Sequence, residues 1–106
     1  MNGHQRIEEQ SIWLHRAVAD KLRQDAGLLA KARERVRGWL ADASVHPRYA
    51  EAWHGVLALS LEEISERLTD ASEPMRALRQ CSPFAGALTP QERWDVLRRF
   101  REAHKR

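Results

Sequence analysis

The chain has 106 residues, 42% of them hydrophobic and 31% charged, with 18 Lys and Arg against 15 Asp and Glu and one cysteine. That length allows one domain with a small core, and the composition excludes a low-complexity disordered chain, an internal disulfide framework and a Cys-rich zinc site. A formal charge of +3 and a pI of 9.6 direct attention to an acidic partner or nucleic acid.

Helical periodicity recurs from end to end, and no segment shows strand alternation. In the first stretch Ile7, Leu14, Val18 and Leu22 fall on one stripe, with Ser11 among them, while Ile12 and Trp13 lie off it. Asp25 caps a second helix that carries Leu28, Leu29, Ala32, Val36, Trp39, Leu40 and Ala43 within one apolar sector. Ser44-Val45-His46-Pro47 interrupts the pattern, and Pro47 suits the first turn of a third helix bearing Tyr49, Trp53, Val56 and Leu57. Ser60-Leu61-Glu62-Glu63 has capping-box form and opens a fourth helix with Leu61, Ile64 and Leu68. Ser72 caps a short fifth, with Pro74 in its first turn and Met75 and Leu78 as apolar contacts. Residues 81–88, CSPFAGAL, form an extended loop. Thr89-Pro90-Gln91-Glu92 then starts a last helix presenting Trp94, Val96, Leu97 and Phe100. The expectation is an all-α, compact single domain of five to six helices over 1–106, with no sheet and with mobile ends at 1–5 and 103–106. Trp39, Trp53 and Trp94 are expected in the core.

Charge is unevenly placed. Residues 1–15 carry one basic and two acidic groups, 16–37 seven and three, 38–75 two and seven, and 76–106 eight and three. Two basic arms therefore enclose an acidic centre, densest at 51–73. Lys31, Arg33, Arg35 and Arg37 resemble a ladder in the text, but on a helical wheel they split between the two flanks of an apolar stripe. Long basic side chains at such positions cover core edges with their stems. The C-terminal Arg98, Arg99, Arg101, Lys105 and Arg106 are better placed to meet phosphate, or to complement their helix dipole.

No combination of residues specifies catalysis. The five histidines, His4, His15, His46, His54 and His104, show no H-E-x-x-H spacing and are expected at the surface or at helix edges. Cys81 is expected as a buried thiol beside the loop. The doublets Glu8/Glu9 and Glu62/Glu63 diverge on a helix. No cofactor, no metal and no enzyme activity are expected. A membrane is not expected as a partner, since no apolar run approaches about 18 residues. The N-terminus has no signal-peptide core, so the expected location is the cytoplasm.

Residues 60–79 loosely resemble a helix-turn-helix, which makes a DNA-binding autorepressor acting on promoter DNA one alternative. Thr69 stands where Gly is usual, and Ser72-Glu73-Pro74 puts an acid where base contacts begin.

A broader resemblance runs from about residue 14 to residue 100. His46-Pro47-x-Tyr49-Ala50-x-x-Trp53, Leu78-Arg79-Gln80-x-Ser82-Pro83-Phe84-Ala85-Gly86-x-Leu88 and Glu92-Arg93-Trp94 resemble a group of small bacterial proteins. The upstream pattern Asp25-x-x-Leu28-Leu29-x-x-Ala32-x-x-x-Val36-x-x-Trp39-Leu40 fits the same group. These are similar to the antitoxin halves of two-gene toxin–antitoxin modules. The resemblance implies a non-catalytic protein that neutralises a cognate toxin or effector encoded by a neighbouring gene, occluding its active site. A zeta-like toxin of kinase fold and an RNase-type toxin are both compatible with it. A chaperone for a secreted effector is a further alternative, since it too binds without catalysis.

Candidate partner-binding residues follow from residue type and position. Ile12 and Trp13 project off the core stripe and either meet a partner or pack on a neighbouring helix. Phe84 is either a core plug or an anchor inserted into a partner. Arg93 and His104 lie in the apolar sector of the last helix, where they bridge to the acidic centre or to the partner. Arg98 and Arg101 offer cations to acidic groups of the partner.

Overall fold

A computed structural model describes residues 2–105. It holds six helices: α1 (Gly3–Gln24), α2 (Ala26–Asp42), α3 (Pro47–Leu57), α4 (Leu61–Leu68), α5 (Glu73–Arg79) and α6 (Pro90–Ala103). No strand occurs among the described residues, and the chain is a small all-α domain. Met1 and Arg106 lie outside the described residues. Of the remaining terminal residues, Asn2 caps α1 through a capping box with Gln5, and Ala103 closes α6 before His104.

Most helix boundaries follow from capping chemistry. Asp25 accepts from the Gly27 N–H, while Ser60 with Glu63 and Thr89 with Glu92 form reciprocal boxes. Ser72 departs from expectation: it holds the cap position of α5, yet its side chain makes no capping bond. Its own N–H instead donates to Asp70 Oδ1 at 2.9 Å. His46 does the capping ahead of Pro47, its Nδ1 accepting from the Arg48 N–H at 3.1 Å. Ala43 ends α2 rather than continuing its apolar sector, because it takes a left-handed conformation with φ 56°.

α1, about 33 Å long at 1.5 Å per residue, is the central element and packs against α4, α6 and α2. Its buried residues are His15, Val18, Ala19 and Leu22. α2 pairs with α3, and α3, α4 and α5 pack on one another. The main core gathers Val18, Leu22, Val36, Trp53, Leu57, Ile64, Leu68, Met75, Leu78 and Phe84. Trp53 is fully enclosed, and its indole N–H donates to the Leu78 carbonyl at 3.1 Å, so its polar atom is satisfied.

α6 is attached by an aromatic contact of its own. Phe100, completely buried, meets Trp13 edge-on at 5.4 Å and stacks on His104 at 4.0 Å, with the Arg6 guanidinium 5.2 Å from its ring. Trp13 therefore lies half-buried between α1 and α6, which removes it as a bare contact surface. Two core assignments fail. Trp94 is 52% exposed, because it sits on the face of α6 turned away from Val96 and Phe100. Ile7 is 66% exposed although it belongs to the apolar stripe of α1.

Candidate partner-binding groove

One stripe of α1, exposed at Ile7, part-buried at Ser11 and Leu14 and buried at Val18, forms the floor of an open groove of about 1180 Å³. Ile7, Ser11, Leu14 and Val18 follow one another along it at helical spacing. One wall is built by α5 and the loop after it, through Arg76, Arg79, Gln80, Cys81, Ser82 and Phe84. The start of α6 contributes Leu88, Thr89, Pro90 and Arg93, while Trp39 and Val45 line it from the end of α2 and the turn beyond. Three arginines face a single glutamate, Glu8, in this lining.

The loop wall is fixed by a clasp to α1. Nδ1 of His15 lies 2.8 Å from the Ser11 carbonyl, an acceptor only, so the imidazole carries its proton there. Nε2 then accepts from the Ser82 hydroxyl at 2.9 Å, and Ser82 Oγ in turn accepts from the Phe84 N–H at 3.1 Å. Burial holds the pKa of His15 below the usual histidine range against the opposing Ser11 carbonyl, and the nearby Arg79 charge adds to the lowering. His15 is thus a buried, neutral structural histidine and not the surface or helix-edge residue expected. The serine–histidine pair has the look of a nucleophile and base, but the serine oxygen is held in the turn by Phe84. Gly86 completes the turn with φ +83°, where the Ala87 N–H returns to the Phe84 carbonyl at 2.9 Å. Cys81, half-buried, has its thiol pKa pushed up by burial, with the Trp53 indole opposing.

Arginines close the open carbonyl ends around this frame. Arg79, only 6% exposed, directs Nη1 to the carbonyls of Leu68 (3.3 Å) and Asp70 (2.6 Å), finishing α4. Burial lowers its pKa, and the charges of Asp70 and Glu8 oppose that. Arg33 grips the Leu57 carbonyl at the end of α3 with two nitrogens, at 3.0 and 2.8 Å. Arg35 donates to Pro83 and Ala85 at 3.0 and 2.8 Å, supporting the loop from the α2 side. Two members of the apparent basic ladder therefore serve as clamps on neighbouring carbonyls. Arg76 bridges Glu8 and Glu73.

Across the wall at the start of α6, Lys21 donates to the Ala87 carbonyl at 2.9 Å and pairs with Glu92 at 2.5 Å. That ammonium, with the Thr89 N–H, holds the pKa of Glu92 down to about 2.

The six candidate residues divide among four places. Phe84 and Arg93 both line the groove, but Phe84 is 5% exposed and packs edge-on against Trp53 at 6.2 Å. It is a core plug and not a free anchor. Ile12 is half-buried beside a smaller cleft with Glu8, Glu9, Ala71 and Arg79. Trp13 is covered by α6. Arg98 and Arg101 lie on the outer face of α6, where the Arg98 guanidinium sits 5.3 Å from the Trp94 ring. His104 turns inward, stacked on Phe100 with Nδ1 donating to its carbonyl at 2.8 Å. Trp94, expected in the core, is at the surface, whereas Trp39 is part-buried and packs against the main core while also lining the groove. For Trp94 the signal was available, since its spacing to Arg98 and Arg101 puts all three on one helical face.

Among the described residues no group of His, Cys, Asp or Glu is arranged to hold a metal ion, and no helix is long and apolar enough to cross a membrane. Comparison with protein-family models finds no match, and neither the curated proteins nor the solved structures give a significant one.

Proposed function

We propose that the chain is a partner-binding protein that neutralises a toxin-like enzyme encoded by a neighbouring gene, without chemistry of its own. The observation that carries this reading is the groove itself, an open concavity of about 1180 Å³ whose apolar floor belongs to the central helix. An exposed apolar patch of this kind, rimmed by polar groups, is characteristic of a recognition surface. The resemblance of residues 14–100 to small bacterial antitoxins points the same way. Docking of a partner segment along α1 places the bulk of the bundle against the partner, which can close a substrate cleft by occlusion.

Co-expression with the product of the adjacent reading frame tests this. The expected result is a co-purifying complex and relief of that product's toxicity. A partner that stays soluble and toxic, with no complex on gel filtration, overturns the reading. A partner that is exported and harmless to its producer would make the chain a secretion chaperone instead. A second reading, binding to promoter DNA, is favoured by one feature, the outward Arg98, Arg99 and Arg101 of α6. A gel shift that weakens steeply with salt would support it.

A further inference from the structure

We infer that the groove along α1 receives an acidic amphipathic helix of the partner, an inference that rests on the partner-binding reading and names what the groove recognises. The shape comes first. From Ile7 to Leu14 the accessible floor runs about 10 Å, or two helical turns, before Val18 enters the core, and the volume exceeds the roughly 300–1,000 Å³ of small-molecule pockets. A long apolar stripe between two walls accommodates a helix laid lengthwise, its residues at i, i+3/i+4 and i+7 entering the groove. No sheet edge exists among the described residues to take an added strand. Ile7 shows how much apolar surface is left for the occupant, being an aliphatic side chain at the mouth of the groove that is 66% exposed.

Charge decides the sign of the occupant. Of the lining groups, Glu8 is already paired with Arg76. The Arg93 guanidinium on the α6 side has no ion-pair partner among the described residues. On the opposite wall stand Arg76, part-exposed and shared between Glu8 and Glu73, and Arg79, which is 6% exposed and holds two carbonyls through Nη1. This wall therefore adds positive charge to the lining without a free guanidinium. A helix with Asp or Glu beside its apolar stripe meets the unpaired Arg93 on one side and, over the whole lining, three arginines against one glutamate. A Lys-flanked helix would bring like charges together and leave them unpaired. Nucleic acid fits poorly, since a phosphate backbone would have to cover the apolar surface of Ile7 and Leu14.

The probes are two labelled synthetic helices of about 15 residues with the same leucine stripe, one flanked by Glu and one by Lys. Binding is read by fluorescence anisotropy against the wild-type chain and against Ile7→Asp and Arg93→Glu. Both substitutions are at exposed positions, and far-UV circular dichroism confirms that each variant is folded. The Glu-flanked helix is expected to bind the wild type about tenfold or more tightly than the Lys-flanked one. Ile7→Asp is expected to weaken it about tenfold, and Arg93→Glu to narrow or reverse the preference between the two peptides. Equal binding of both peptides, or none by the Glu-flanked one, overturns the inference. If the neighbouring gene product still co-purifies with the Ile7→Asp variant at wild-type yield, the groove is not the docking site although the partner-binding reading stands. Concentration-dependent dimerisation abolished by Ile7→Asp would assign the groove to a second copy of this chain and also overturn the inference.

Discussion

His15 Nε2 on α1 lies 2.9 Å from Ser82 Oγ, joining residues 67 positions apart across the groove wall. In the neutral ring Nδ1 holds the proton against the Ser11 carbonyl and Nε2 accepts from Ser82, and burial favours that neutral form. Since burial lowers the folded-state pKa, the unfolded chain binds more protons below about pH 6.5. The contribution of His15 is therefore fully present above that pH and is lost as pH falls toward the folded value. Thermal melts of the wild type from pH 8 to pH 5 should show a decline in stability, and His15→Leu should remove that slope. The variant should also cost about 1–3 kcal/mol at pH 8, because Ser82 loses its acceptor. An unchanged slope in the variant would show that the clasp does not titrate.

Glu92 titrates in a lower window. Its folded pKa of about 2, set first by Lys21 and then by the Thr89 N–H, lies below the ordinary carboxylate value. A depressed acid stabilises the fold above the unfolded pKa and ceases to do so as pH falls through the folded one. Acid titration followed by circular dichroism should therefore lose stability between roughly pH 4.5 and pH 2. Glu92→Gln should flatten that interval, and Lys21→Met should do the same by raising the Glu92 pKa. If both variants match the wild-type acid curve, the α1–α6 pair contributes nothing.

Arg79 and Trp94 invert the usual expectation of charged surface and aromatic core. Arg79→Met leaves the Leu68 and Asp70 carbonyls without their donor, and urea denaturation should register a loss of about 2–3 kcal/mol. Trp94→Ala removes a large ring that is half outside the fold, and its cost should stay under about 1 kcal/mol. Phe84→Ala, by contrast, should cost about 3–5 kcal/mol through the cavity it opens beside Trp53. A larger loss for Trp94→Ala than for Phe84→Ala would contradict the packing described.

Ala43 provides a stabilising change. Its φ of 56° places a Cβ in the left-handed region at the end of α2, where glycine is unstrained. Ala43→Gly should raise stability by about 0.5 kcal/mol, the relief of strain being partly offset by the added freedom of the unfolded chain. A Tm increase of about 2–4 °C would register it. A lower Tm would mean that the left-handed turn is tolerated without strain.

The helices were legible because capping chemistry is local. Ser60 with Glu63 and Thr89 with Glu92 do in space what their spacing announces. The core was legible where one face of a helix is buried, as with Val36 or Leu57. α1 defeated that rule because it is covered on several sides, so Trp13, off the apolar stripe, is packed while Ile7, on it, is bare. The clamps were illegible for a different reason. Arg33, Arg35, Arg79 and His15 each bond a backbone carbonyl or a hydroxyl chosen by tertiary approach, and no spacing along the chain encodes which one. The groove shares that origin, since α1, α5 and α6 must come together before it exists.

The position of α1 at the centre of the bundle also bears on synthesis. α1 precedes all of its packing partners in the chain: α2 follows at once, but α4 comes later and α6 is the last of the six described helices. Until Phe100 is translated, Trp13 has no aromatic partner on that face, and the nascent chain carries it bare. Such long-range closure slows folding and prolongs the exposure of sticky surface. A chain stalled or cleaved before residue 90 would hold α2 to α5 together yet leave its longest helix half dressed, a ready substrate for proteolysis.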